Sequence, residues 1–489
     1  MSILPDALLY VDGALRPATG GKTYDVISPW TAATVGQAAD AAREDVEQAI
    51  AAARRAFDTT DGATDRDLRV AVLERLYALL TANRDRLVQL ARHEVGAALG
   101  VVGRAQVDLA LSGFRDLLDL FPEVEWEEDH GERGPPTYLS HRKVRFEPVG
   151  VVAAITPWNA PLYINVGKCV AALLAGCTVV LKPAPDTPGM GTILGELAAE
   201  AGFPAGVFNV VCSSDPAMAG EMLVDDKRVD LVTFTGSSAT GRKIAERGGK
   251  TLKRVFLELG GKSAKVVFDD VPNFAQEVAA SMVVSQAGQG CGVITRLLVP
   301  KSRYAEAGGG LRAAYAAYGD NWGDFDGEGQ MMGPVANASQ LARVLSYIEL
   351  GVQEGATLLV GGKARPDKGA GYFVEPTCFV DVTNDMRIAQ EEIFGPVLVV
   401  IPFEDEDDAV RIANDSEYGL SGGVFSGDAE RAMRVAERIR TGSVMVNGGL
   451  CIAGDLPFGG YKASGIGREW GREGIQEFLE SKVIAWRVA

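Results

Sequence analysis

Histidine is nearly absent from this 489-residue sequence, with three residues, His93, His130 and His141, lying far apart. The six cysteines, at 169, 177, 212, 291, 378 and 451, include no Cys-x-x-Cys pair. These shortages exclude a zinc site of common spacing and a disulfide framework, and they fit a reducing, cytosolic (cytoplasmic) compartment. Positive charge is also scarce. Lys and Arg number 48 against 65 Asp and Glu, and the net charge of −17 repels phosphate backbones and anionic membrane surfaces. Neither nucleic acid nor membrane is therefore an expected partner. The longest apolar run, Cys169 to Leu181, is too short to span a bilayer, and the amino terminus, Met1-Ser2-Ile3-Leu4-Pro5-Asp6, lacks the basic stretch and apolar core of a secretion signal.

What is present is a chain too long for one hydrophobic core, so two or more domains are expected. Ala39 to Phe57 and Leu68 to Glu94 carry Ala, Leu and Val at helical spacing, with Asp65 as a cap, and the first third reads as amphipathic helices. Phe121 to Arg142 is acidic, contains Gly-Pro-Pro and two of the histidines, and reads as a surface excursion. Short Val- and Ile-rich runs follow at Val149 to Ile155, Thr178 to Leu181, Val207 to Val211, Leu231 to Phe234 and Lys265 to Phe268. With helix-like stretches between several of them, they predict a parallel sheet covered on both faces. A second strand and helix series from Arg296 to about Gly423 predicts a second α/β domain.

The chemistry-bearing segments sit at turns. Val284-Ser285-Gln286-Ala287-Gly288-Gln289-Gly290-Cys291-Gly292 leaves a thiol sterically open and lets backbone amides point at it, although that loop alone leaves nucleophile and ordinary turn equally open. Upstream stands Leu257-Glu258-Leu259-Gly260-Gly261-Lys262-Ser263, a carboxylate beside two glycines. Three motifs lie at the ends of expected strands, where open α/β sheets bind ligands. Ile155-Thr156-Pro157-Trp158-Asn159-Ala160-Pro161 offers an Asn amide or an Asx-type turn, Leu181-Lys182-Pro183 a lone cation or a solvated lysine. Phe234-Thr235-Gly236-Ser237-Ser238 leads into a helix whose free N–H groups suit a phosphate. Gly189-Met190-Gly191 with Gly195 imitates a dinucleotide fingerprint at the wrong spacing, and Asp324, Asp326, Glu328 and Gly329 start a calcium loop whose twelfth position is Val335. Neither supports a function.

Further on come Gln390-Glu391-Glu392-Ile393-Phe394-Gly395-Pro396 and Pro457-Phe458-Gly459-Gly460-Tyr461-Lys462-Ala463-Ser464-Gly465-Ile466-Gly467-Arg468-Glu469, the latter too polar and glycine-rich for core. With these segments, and Arg296 five places after Cys291, the chain resembles the aldehyde dehydrogenase superfamily over nearly its whole length, in the family's order and spacing. The resemblance implies an α/β aldehyde dehydrogenase fold: a Rossmann-like nucleotide domain (1–120 and 143–259), an α/β catalytic domain (260–462), and a small β oligomerisation arm (121–142 with 463–489), in a homodimer or homotetramer.

It further implies that Cys291 is the nucleophile, that Asn159 and the Cys291 N–H hold the oxyanion, and that Glu258 is the base that activates the hydrolytic water. Lys168 matches a lysine near the active centre with no specified role. For the cofactor, NAD with NADP also admitted, it implies Lys182 at the adenine ribose, Gly236 and Ser237 beneath the pyrophosphate, Glu392 and Phe394 on the nicotinamide side, and Ile155, Trp158 and Leu259 in the same crevice. The reaction implied is oxidation of a small-molecule aldehyde to the free acid. Three departures stand out. Pro185 replaces a glutamate that discriminates against NADP in many relatives, Gln286 stands where Asn is more usual, and small Ala160 and Gly292 suggest a roomy pocket for aromatic or branched apolar aldehydes. Two other readings are weighed: a CoA-acylating relative, against which the retained Glu258 argues, and a non-catalytic protein on the same scaffold.

Overall fold

The computed structural model describes residues 3–488. Two large sheets carry the fold. In the first, five parallel strands lie in the order Arg254–Glu258, Leu231–Thr235, Val151–Ile155, Thr178–Lys182, Phe208–Val210. The three central ones are buried at every position, which explains their unbroken apolar sequences. Antiparallel pieces close both edges: Leu9–Val11 and Ala14–Arg16 on one side, and Gly465–Ile466, from the far end of the chain, on the other. The helix Pro161–Ala175 is buried along its whole length, with Gly176 in the left-handed conformation that stops it.

The second sheet has the order Thr357–Val360, Thr377–Val380, Val397–Phe403, Ile294–Pro300, Ser263–Val267, Ser421–Phe425, Ser443–Val446 and is parallel apart from its first pair. The run Lys265 to Phe268, read above with the first sheet, thus belongs to the second. The chain changes sheets at Gly260-Gly261, where any side chain would collide: a Cβ on Gly260 would lie 2.5 Å from the Glu392 carboxylate, and one on Gly261 2.5 Å from the Cys291 carbonyl. That close passage brings the strand end at Glu258 to the cysteine loop.

The first third departs from an all-helical reading. Leu9–Val11, Ala14–Arg16, Thr23–Ile27 and Thr34–Ala39 are strands too short, or too rich in Ala and Gly, to show a clear alternation. The single helix expected over Leu68 to Glu94 is Arg66–Ala82, capped by Asp65, then Arg84–Leu90 and a π-helical turn at Ala91–Val95. Asn83 interrupts it by turning its side-chain amide onto the Leu79 carbonyl at 2.9 Å. The excursion at 121–142 forms the strand Glu127–Arg133 and opens a second, Ser140–Pro148, which pairs antiparallel with Leu479–Arg487 from Leu479↔Pro148 to Arg487↔Ser140. Val483 and Trp486 stay exposed on this three-stranded sheet. Gly189, Gly191 and Gly195 are packing glycines, pressed against Glu94, Pro183 and Tyr10. No described helix is long and apolar enough to cross a membrane, and no cluster of possible metal ligands occurs among the described residues.

Candidate active site

Cys291 and Glu258 meet where the two sheets approach. Glu258 ends its strand, is 1% exposed, and lies close enough to Cys291 for the two side chains to shift each other's titration, while its Oε1 has no partner. Burial, followed by the negative charge of Glu469, pushes the Glu258 carboxyl well above the usual carboxylate range, against an opposing pull from Lys168. Burial, and then the Glu258 charge, raise the Cys291 thiol as well. Both groups are thus biased towards their neutral forms, and the thiol can pass its proton to Glu258 only when that carboxyl is ionised.

Asn159 is buried, and its Nδ2 donates to the Gln289 carbonyl at 3.1 Å, which leaves one N–H of the carboxamide for another acceptor. Its backbone carbonyl accepts from Gln106 Nε2 at 2.9 Å and from Gln286 Nε2, and the two glutamines bond each other at 2.5 Å. Gln286, the residue that departs from the family's usual Asn, thus braces Asn159. It does so from a strained turn, with φ of 48° at Gln286 and 51° at Ala287. Gln289 ties the same loop down by accepting from the Ala336 N–H at 2.9 Å.

Lys168 is completely buried. Its Nζ lies 2.5 Å from Glu469 and 2.8 Å from Thr233 Oγ1, and it sits over the Phe256 ring at 4.9 Å. Glu469, in the segment read above as too polar for core, is 3% exposed, and Ser464 of the same segment is wholly buried. No local signal in the sequence marks Glu469 or Gln106; Glu469 becomes legible only because a buried lysine demands a counter-charge.

A second group of residues suits a nucleotide. Ser237 caps the helix Ser238–Gly249, its hydroxyl accepting from the Thr240 N–H at 3.2 Å, and the Gly236 N–H donates to the Glu258 carbonyl at 3.1 Å. A Cβ at Gly236 would strike the Phe234 ring at 2.5 Å, so the chain approaches closely there only as glycine. Lys182 is the last residue of its strand, not a solvated lysine. It is 2% exposed, burial lowers its ammonium to about 8, and its Nζ donates to the Pro183 carbonyl. Ile155 and Leu259 are buried, and Leu259 packs on Gly241. Trp158 meets Phe394 edge to face at 5.4 Å; Phe394 adopts φ of 62°, with its carbonyl held by Gln340 at 2.7 Å. Glu392, raised by burial, accepts from the Gly261 N–H at 2.9 Å. Thr156 Oγ1, next to Ile155, is buried without a partner. A helix start, a cation, a carboxylate and an orphaned hydroxyl together fit a dinucleotide.

This pairing of a Rossmann-like sheet with a second parallel sheet that presents a cysteine is the architecture of a group of oxidoreductases. Residues 16–484 match the model of the aldehyde dehydrogenase family. Betaine aldehyde dehydrogenase of Staphylococcus aureus, crystallised as a point mutant with NAD+, is 34% identical and superposes with a TM-score of 0.94 over 98% of this chain and 97% of its own. Aldehyde dehydrogenase C of Pseudomonas syringae, a mutant crystallised with NAD+ and octanal, is 37% identical with a TM-score of 0.90 over 98% and 96%. An NAD-dependent aldehyde dehydrogenase of Sinorhizobium meliloti is 37% identical with a TM-score of 0.93 over 99% and 95%. The chain belongs to the aldehyde dehydrogenase family and is an enzyme of that family.

Proposed function

We propose that this enzyme oxidises an apolar aldehyde, aromatic or branched, to the free carboxylic acid with NAD, and admits NADP. The convergence of a thiol, a buried carboxyl and a spare carboxamide N–H at one point, Cys291, Glu258 and Asn159, carries this reading. Glu258 takes the proton from Cys291, and the thiolate adds to the carbonyl carbon. The oxygen that becomes negative is held by the free Asn159 N–H and the Cys291 N–H, in a site dry enough for such bonds to be strong. NAD, held in the crevice, would supply the oxidant for the hydride that leaves the same carbon, so that the Cys291 adduct becomes a thioester. After that first proton has passed to solvent, Glu258 removes a proton from water, which displaces Cys291 from the thioester as the thiolate and yields the acid.

Lys182 would serve the adenine ribose, Gly236 and Ser237 the pyrophosphate, and Glu392 and Phe394 the nicotinamide side, with Ile155, Trp158 and Leu259 lining the crevice. On this reading residues 1–120 and 143–259 form the nucleotide domain and 260–462 the catalytic domain. The sheet holding Leu479–Arg487 would join cytoplasmic copies into a homodimer or homotetramer, because exposed strands of this kind seek an edge on another subunit. The NADP allowance rests on Pro185, which contributes no carboxylate to repel a 2′-phosphate. The room left at Gly292 is limited, since a Cβ there would sit 3.1 Å from Ser421 Oγ; the apolar preference rests more on Ala160 and on the surrounding Tyr163 and Phe458.

The test is reduced-cofactor formation with NAD and NADP in parallel, across short and long aliphatic, aromatic and terpenoid aldehydes, with Cys291→Ala as control. Cysteine-dependent reduction with release of free acid is expected. A requirement for CoA, equal activity in the alanine variant, or faster turnover of acetaldehyde than of every bulky aldehyde would each overturn a named part of the reading.

A further inference from the structure

Trp470 fills a space that two helices leave open for it. Cβ atoms built on Gly113 and Gly167 would fall 2.5 Å and 2.9 Å from its indole, so neither helix can carry a side chain at that level while Trp470 is present. The ring is fully buried and stacks on Tyr163 at 4.4 Å and 27°. Its backbone, at φ of 63°, lies in the left-handed region that a bulky residue rarely adopts, a cost borne where the side chain has to be aimed.

This stack stands beside the reacting atoms. Tyr163 lies in the first turn of the helix that Asn159 precedes, and Gly167 follows one turn on, so Tyr163 lies between the carboxamide and the cleared space. The Tyr163 hydroxyl lies in the electrostatic field of Glu469, Cys291, Asp116 and Glu258. Tyr163, Trp470, Leu420 and Phe458 belong to one apolar cluster, against which Cys291 and Ile452 pack. The chain before Phe458 closes over them: the Gly471 N–H donates to the Gly454 carbonyl at 3.0 Å, and Gly454 rests on Gly113. Tyr163 OH and Trp470 Nε1 are both buried without partners. Two orphaned donors on stacked rings are costly, and the arrangement makes sense as a shape rather than as a polar contact.

We infer that Trp470 is a specificity-determining residue of this enzyme: it is the backstop that holds Tyr163 forward and thereby sets the depth of the apolar passage that ends at Cys291. The inference rests on the aldehyde-oxidation reading above. The passage takes a flat or short apolar group against the Tyr163 ring and stops a long chain, because the volume behind Tyr163 is already full. Removing the indole lets Tyr163 sink towards Gly167 and lengthens the passage.

The experiment compares kcat/KM for octanal and propanal in the wild type, Trp470→Leu, Trp470→Phe, and Trp470→Leu combined with Gly167→Leu. One methylene in an apolar pocket is worth about tenfold or more, so the octanal-to-propanal ratio should rise at least about tenfold in Trp470→Leu and less in Trp470→Phe. The double variant, which refills the cavity from the other helix, should return the ratio to within about twofold of wild type. An unchanged ratio in an active Trp470→Leu enzyme, or an equal loss with both aldehydes, overturns the inference and leaves the reaction intact. If Trp470→Leu does not fold, the milder Trp470→Phe decides by the same ratio. A wild type that oxidises no aldehyde overturns both readings.

Discussion

Replacing Lys168 with methionine should destabilise the protein by about 3–5 kcal/mol, the usual cost of breaking a buried ion pair by removing one partner. The ammonium lies 2.5 Å from Glu469, with side-chain exposures of 0% and 3%. At an effective dielectric of 20 their gross attraction is about 6–7 kcal/mol, which offsets the removal of both ions from water. Methionine keeps the length of the stem and its contact with Phe256 but leaves the Glu469 carboxylate facing apolar packing. Adding Glu469→Gln removes the stranded charge, so the double variant should recover to within about 1–2 kcal/mol of wild type. Urea unfolding followed by tryptophan fluorescence measures each step of this cycle. The pair also tunes Glu258, whose carboxyl Lys168 pulls down and Glu469 pushes up. In Lys168→Met the acid limb of kcat should therefore move to higher pH, and in Glu469→Gln to lower pH. A Lys168→Met loss below about 1 kcal/mol, or a double variant no better than the single, would refute the coupling.

Asn159→Ala should cost about 10²–10³ in kcat/KM, the price of one oxyanion donor, with KM for NAD unchanged in steady-state assays. Glu258→Gln should abolish turnover and slow the burst of reduced cofactor in rapid-quench measurements, because the thiol and the hydrolytic water both lose their base. Because the folded carboxyl is held well above 4.5, its contribution to stability is full below the unfolded pKa and lost as pH rises through the folded value. The glutamine variant should therefore be more stable than wild type near pH 8 and equal to it near pH 4, as read by urea midpoints. Pro185→Glu should raise the NAD-to-NADP ratio of kcat/KM by at least about tenfold, since it supplies a ribose acceptor and a charge that opposes a 2′-phosphate.

The strands of the first sheet were legible because full burial on both faces leaves uninterrupted Val and Ile, as at Val151–Ile155 and Thr178–Lys182. The strands before residue 40 were not, being three to six residues long and half exposed where they form the ribbon Thr23–Ile27 with Thr34–Ala39. The glycines beside the cysteine and the carboxyl of Glu258 marked a reactive loop. The supports of that loop stayed hidden, because Gln106 and Gln286 act through one backbone carbonyl, a contact with no sequence period. Trp470 was invisible for the opposite reason: its meaning lies in two glycines on other helices, and an absent side chain leaves no mark until the volumes are assembled.

The tie between Lys168 and Glu469 also sets an order of events at the ribosome. Roughly 300 residues separate the two, which is about 15–60 s of synthesis at ordinary rates of translation. Over the same interval the edge strand Gly465–Ile466, the Ser464 hydroxyl that donates to the Gly260 carbonyl at 2.6 Å, and the strand Leu479–Arg487 are all still unmade. The nascent chain thus carries a lysine that cannot be buried and a sheet with one side open until its last few dozen residues emerge. A prematurely terminated chain is left without its counter-ion and its edge strand, so it stays unable to close around the thiol and open to proteases.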